Sequence, residues 1–270
     1  MRTACARTLI LAACLLAGAA GSCGSDQPSP EPDPPRVDLV VGDTIALTGP
    51  SAGLGASAQK AAQLAVEQIN DAIAKADVPH AVEIVHRDSH AEGASTATAE
   101  LLESGVSCVV GPRSRAGMRR VARASAGKAL VISPRIRSAR LPGVERGLVA
   151  WLPPTGPQRA IDPEGGDGDP AASFARLYES TDPPIGPART SDGRQFDATI
   201  LCYLAAVSAG SGRPRQMASR LGPASRGALS YSWAQLPEAI EDLERGRAIV
   251  YSGITVRLGV HPRSPEEGPP

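Results

Sequence analysis

Four arginines have types and spacing that permit anion chemistry. Arg113 and Arg115 follow the apolar run 106–110, and Arg135 and Arg137 follow the apolar run 129–132. A guanidinium is a planar fork of N–H donors. Two such pairs at the ends of neighbouring strands can grip a carboxylate or a phosphate. The competing reading is a solvated charge run, extended by Arg119 and Arg120. The segment 49–57, GPSAGLGAS, follows another apolar run and opens an Ala-rich stretch. Backbone N–H groups at such a turn attract anions. The segment lacks the Lys of G-x-x-x-x-G-K-[ST] and does not spell G-x-G-x-x-G. It therefore reads as a tight strand-to-helix turn lining a ligand cleft, not as a nucleotide cradle. His86-x-Asp88-x-His90 would place three ligand-type side chains on one strand face. However, it lies where a strand ends, and a metal-free strand terminus is the alternative. No G-x-S-x-G, H-E-x-x-H or C-x-x-C occurs. Glu238, Glu241, Asp242 and Glu244 share the polar face of one amphipathic stretch. The expectation is a non-enzyme with no cofactor and no metal.

These groups need a scaffold. Apolar, β-branched runs at 37–47, 82–85, 106–110, 129–132 and 148–151 alternate with Ala-rich amphipathic stretches. In the first stretch Ala58, Ala61, Ala62, Ala65, Ile69, Ala72, Ile73 and Ala76 recur at helical spacing. Further helices are predicted over about 94–103 and 116–126. The alternation predicts an α/β fold, a doubly wound parallel sheet lobe over 37–152. Its ligand would sit at the carboxyl ends of the strands, near the switch point. A linker is expected over 153–170. An incomplete, helix-rich second lobe is expected over 171–260, with helices near 171–179, 196–209, 217 and 236–244 and a strand over 248–258. Residues 261–270 read as a disordered tail.

The chain has 270 residues, suiting one or two domains. Its 28 Lys and Arg balance 28 Asp and Glu, and only 3 % of residues are aromatic. Both features argue against nucleic acid as a partner. Arg2 and Arg7 precede an apolar stretch, 8–20, which is short for a span of ~30 Å and reads as an export signal over 1–22. Small residues ahead of Cys23 resemble the lipobox of bacterial lipoproteins, although Ala20 stands where Leu is usual. Cleavage near Ala20 with plain secretion is the alternative. The match at Leu11-Ala12-Ala13-Cys14 leaves too short an apolar stretch before it. Residues 23–36 are Pro-rich and predict an extended tether. Cys108 lies in an apolar run and reads as a buried small hydrophobe. Cys202 falls in a helix-like stretch. A bond between the two stays open, since two such positions make no disulfide framework.

An ordered set of segments carries a family resemblance. It comprises GDTIALTGPSAGLG at 42–55, AVEQIN at 65–70, VEIV at 82–85 with Asp88, and Gly105-Val106 leading to VVGP at 109–112. VISP at 131–134, FDA at 196–198, LPEA at 236–239 and GRAIVYSG at 246–253 complete it. In this order they resemble the type I periplasmic binding proteins of the leucine/isoleucine/valine family, the solute receptors of ABC importers. The resemblance covers roughly 37–160 and 170–260. It implies an extracytoplasmic receptor on the outer face of a bacterial cell membrane. It would be held there by a lipid on Cys23 only, or secreted without one. It would bind an amino-acid-like or small polar or anionic solute non-covalently and pass it to an ABC permease. The resemblance places ligand contacts at Ser51, Leu54, Arg113, Ser114, Arg115, Arg135, Ile136 and Arg137. Three positions depart from the family pattern. Arg115 stands where a Ser is usual, Ile136-Arg137 replace Ala-Thr, and Leu54 replaces an aromatic. Most strands of a second lobe are also missing, so closure of a two-lobed cleft does not carry over. The alternative expectation is a non-transporting sensory or interaction module on the same fold.

Overall fold

The computed structural model describes residues 35–134, 148–152, 159–166, 168–181 and 186–262. The expected signal over 1–22, Cys23, the tether as far as residue 34, Arg135, Ile136, Arg137 and the tail from 263 lie outside the described residues. Residues 34–270 group as one compact unit.

Five strands form the main sheet: β1 (Asp38–Ile45), β2 (Ala81–Asp88), β3 (Cys108–Val110), β4 (Leu130–Ser133) and β5 (Val149–Trp151). Their order is β2-β1-β3-β4-β5, and every pairing is parallel. β3 and β4 are buried at every residue, the pattern of strands covered on both faces. The connecting helices are α1 (Ala52–Ala76), α2 (Ala94–Glu103) and α3 (Arg115–Ser125). The stripe predicted for α1 is its buried face, from Ala58 to Ile73. The doubly wound parallel sheet is thus as the sequence predicts.

After β5 the chain forms α4 (Pro170–Glu179), α5 (Thr190–Ala209), α6 (Pro214–Arg220) and α7 (Leu236–Glu244). α5 begins six residues before its predicted start and is buried on all sides. It packs against α1, α6, α7 and the strands β1, β3 and β4. Small residues on α1 and α5 allow this, because Ala61, Ala65, Ala205 and Ala206 carry only a methyl group and let the helices approach closely. Cys202 of α5 is joined to Cys108 of β3 by a disulfide, with Cα atoms 6.0 Å apart. The reading of Cys108 as an ordinary buried hydrophobe is corrected accordingly. The two positions are 94 residues apart in sequence and meet only because α5 lies across the sheet.

A second, four-stranded sheet is built from β6 (Leu221–Gly222), β7 (Leu229–Tyr231), β8 (Ile249–Ser252) and β9 (Arg257–Val260), in the order β6-β9-β8-β7. The single strand expected over 248–258 is therefore an antiparallel hairpin, β8 to β9. Asp197 of α5 makes the turn. Its carboxylate accepts from the Tyr251 hydroxyl at 2.9 Å, from Ile254 N–H at 3.0 Å, and from Thr255 N–H and Oγ1 at 2.7 and 2.8 Å. A Cβ on Gly253 would lie 2.2 Å from Asp197 Oδ1, so only glycine fits the close approach. Burial pushes the Asp197 pKa up to about 6, against the pull of its four donors.

One hydrophobic core runs through both sheets, from Val37 and Ile69 through Phe174 and Phe196 to Tyr251 and Val260. A smaller one, with Leu101, Val109, Met118 and Val121, lies under α2 and α3 on the other face of the main sheet. Among the described residues no helix is long and apolar enough to cross a membrane.

Candidate functional site at the carboxyl ends of β1 and β3

The chain leaves β1 for α1 on one face of the sheet and leaves β3 for α3 on the other. Adjacent strands whose connections depart to opposite faces open a crevice between them. A cavity of about 310 Å³ lies there. That is at the small end of the range for ligand sites. The end of β1 supplies Thr44, Ile45 and Ala46, and Ser89 comes from just beyond β2. Ser51, Leu54, Gly55 and Ala58 contribute from the start of α1, and Pro112, Arg113 and Ser114 from the loop after β3.

Backbone geometry explains how these parts meet. A Cβ on Gly55 would lie 1.9 Å from the Ala46 carbonyl oxygen, so the first turn of α1 crosses the end of β1 at a distance only glycine permits. The Ser51 side chain makes no capping hydrogen bond to α1. That leaves the first N–H groups of a 25-residue helix without a side-chain cap beside the cavity. Ser114, in contrast, caps α3 by accepting from Gly117 N–H at 3.0 Å. Leu54 is 40 % exposed at the rim.

Asp88 braces the wall. It accepts from Leu47 N–H at 3.0 Å, from His90 N–H at 2.9 Å and from the Thr48 hydroxyl. Desolvation works against its charge, but these donors and Ala91 N–H outweigh it and hold the pKa down at about 2. Deeper in, the buried Asp43 accepts from Gln195 Nε2 of α5 at 2.9 Å and faces His86 Nδ1 at 3.3 Å. Burial raises the Asp43 pKa, against His86 and Gln195. Arg113 is close enough to Asp192 in the first turn of α5 to counter the burial that raises that carboxyl's pKa. The cation lining the cavity is thereby tied electrostatically to α5.

The structure brings Ser51, Leu54, Arg113 and Ser114 together around one cavity. Arg115 is not among the lining residues. It is the exposed first residue of α3. The triplet His86, Asp88 and His90 divides among three tasks. His86 faces Asp43, Asp88 braces the loop, and the His90 ring packs on Gly49. Among the described residues no group of three or more His, Cys, Asp or Glu could hold a metal ion. Sequence reasoning missed Thr44 and Ser89 as lining residues. Gly55 carried a signal in the glycine spacing of 49–55, whereas Asp192 and Gln195 carried none, because their role depends on where α5 packs.

No family model matches the chain, and no curated protein matches it. Solved structures do. A leucine-binding protein, LivK from Thermotoga maritima, aligns with TM-score 0.53 at 10 % identity, covering 67 % of this chain and 86 % of that one. A solute-binding protein of an ABC transporter from R. palustris, solved with 4-hydroxybenzoate, aligns with TM-score 0.50 at 10 % identity, covering 83 % and 89 %. The fold is type I periplasmic-binding-protein-like. LivJ of Streptococcus pneumoniae, solved with isoleucine, is 28 % identical over 42 % of this chain, at TM-score 0.36. The match spans about a third of that relative, 33 %. Within the type I binding-protein fold, the cavity here occupies the general ligand position of open α/β sheets, the switch-point crevice.

Proposed function

We propose that the chain is an extracytoplasmic solute-binding protein of an ABC importer, lipid-anchored through Cys23. It holds an amino-acid-like or small anionic solute without covalent chemistry and delivers it to a permease. The observation that carries this reading is the cavity between the ends of β1 and β3. Its polar lining is hydroxyls, one guanidinium and the N–H groups at the start of α1. Such a set binds a carboxylate by Arg113 and by N–H donors near Ser51 and Ser114. Arg135, Ile136 and Arg137 follow β4 in the sequence and are proposed to complete the site. Among the described residues the lining offers hydroxyls and a guanidinium, groups suited to holding a solute. The disulfide supports an oxidising, extracytoplasmic address.

The test is a thermal-unfolding screen of residues 34–270 against amino acids, dicarboxylates and small amides. A ligand at ~100 times its dissociation constant adds about 2.7 kcal/mol, a rise of several degrees for a chain of this size. The expected result is a rise with one chemical class that is lost in Arg113→Gln. A cooperative transition that moves with no carboxylate-bearing compound counts against the reading.

A further inference from the structure

α3 carries a cationic face that the cavity does not use. Arg115, Arg119, Arg120 and Arg123 are exposed, as is Lys128 just beyond the helix. At 3.6 residues per turn the four arginines fall within an arc of about 140°. The opposite arc, Gly117, Met118, Val121, Ala122 and Ser125, is buried. Among the described residues no side-chain hydrogen bond or ion pair engages any of these five cations. Residues 104–144 contain no Asp or Glu, yet they hold nine of the chain's 28 Lys and Arg. A chain with zero formal net charge is therefore strongly polarised.

We propose that this face of α3 docks on the anionic phospholipid headgroups of the membrane, in addition to any lipid on Cys23. The charge is of the sign that such a surface attracts. The topology also suits it. All strands of the main sheet are parallel, so Lys128, two residues before β4, lies at the edge where the chain enters β1. Eleven residues, 24–34, follow Cys23 before the described residues, a contour of roughly 36–40 Å if fully extended. The cavity is at the carboxyl edge, beside Arg115 at the start of α3, and Arg119, Arg120 and Arg123 lie progressively farther from it.

The proposal takes only its location beside a membrane from the lipoprotein reading, and its test involves no solute. Residues 34–270 are sedimented with vesicles of phosphatidylcholine, and with vesicles of equal parts phosphatidylcholine and phosphatidylglycerol. The expected result is binding to the anionic vesicles alone, weakening as salt rises. Each basic residue near such a surface is worth about a fivefold factor. The variant Arg119→Gln, Arg120→Gln, Arg123→Gln should therefore bind ~100-fold more weakly while unfolding cooperatively like the parent. Equal binding to both vesicles, no binding at low salt, or an undiminished variant overturns the proposal. So does tighter binding to soluble polyglutamate than to vesicles. A failed solute screen with vesicle binding intact would sink the receptor reading and leave this one standing, and the reverse holds equally.

Discussion

Asp88 and Asp197 are both carboxylates with several donors, yet their pKa values shift in opposite directions. At Asp88 the donors outweigh desolvation and the pKa falls to about 2. Its contribution to stability is complete above the unfolded value of ~3.9 and is lost as pH falls through about 2. Urea unfolding between pH 5 and pH 2 should show a steeper loss in the parent than in Asp88→Asn. At Asp197 complete burial outweighs four donors and the pKa rises to about 6. The folded state then binds more protons than the unfolded state between ~4 and ~6. Stability from this group therefore declines as pH rises through that window and is level above it. The shift corresponds to about 3 kcal/mol. Asp197→Asn should remove that slope from a plot of unfolding free energy against pH. It should also lower stability above about pH 6, where the parent's carboxylate accepts from all four donors and an amide cannot.

At the scale of elements, α5 organises the molecule. Cys202 bonds it to β3, Gln195 reaches Asp43 of β1, Arg194 donates to the Pro134 carbonyl at 3.1 Å, and Asp197 holds the β8–β9 turn. The disulfide closes a loop of 94 residues. Chain-entropy arguments give such a loop about 4–5 kcal/mol. Reduction by dithiothreitol, or Cys108→Ala with Cys202→Ala, should lower the calorimetric Tm by roughly 10 °C. An unchanged Tm would mean that packing alone holds α5 on the sheet.

For the molecule as a whole, one core spans both sheets. A solute that binds between β1 and β3 therefore meets a preformed wall on one compact unit. The radius of gyration expected for residues 34–270 is ~18 Å. Small-angle scattering should give about that value with and without solute. A clear contraction on binding would require a hinge that the continuous core does not provide. The polarised charge also belongs to this scale, since a helix face acts on a membrane only as a sum over several side chains.

The strand and helix order from β1 to β5 was legible in the sequence, because strands buried on both faces read as unbroken apolar runs and α1 repeats its apolar residues at helical spacing. Ser51, Leu54, Arg113 and Ser114, which the family resemblance pointed to, follow the ends of those runs and line one cavity. The β6 and β7 strands were not legible, since Leu221–Gly222 and Leu229–Tyr231 lie in no unbroken apolar run of the kind that marks β3 and β5. The start of α5 at Thr190 was missed because its first turn, Ser191 to Gln195, is polar and buried. Burial of that turn comes from neighbours distant in sequence. The same holds for the disulfide, for the Asp43–Gln195 contact and for the closeness of Arg113 to Asp192. Local periodicity and turn chemistry act over a few residues, so the sequence by itself determined the sheet and the edge at which the cavity lies. Only the tertiary structure decided what lies across that sheet, because α5 is placed by packing and not by its own pattern.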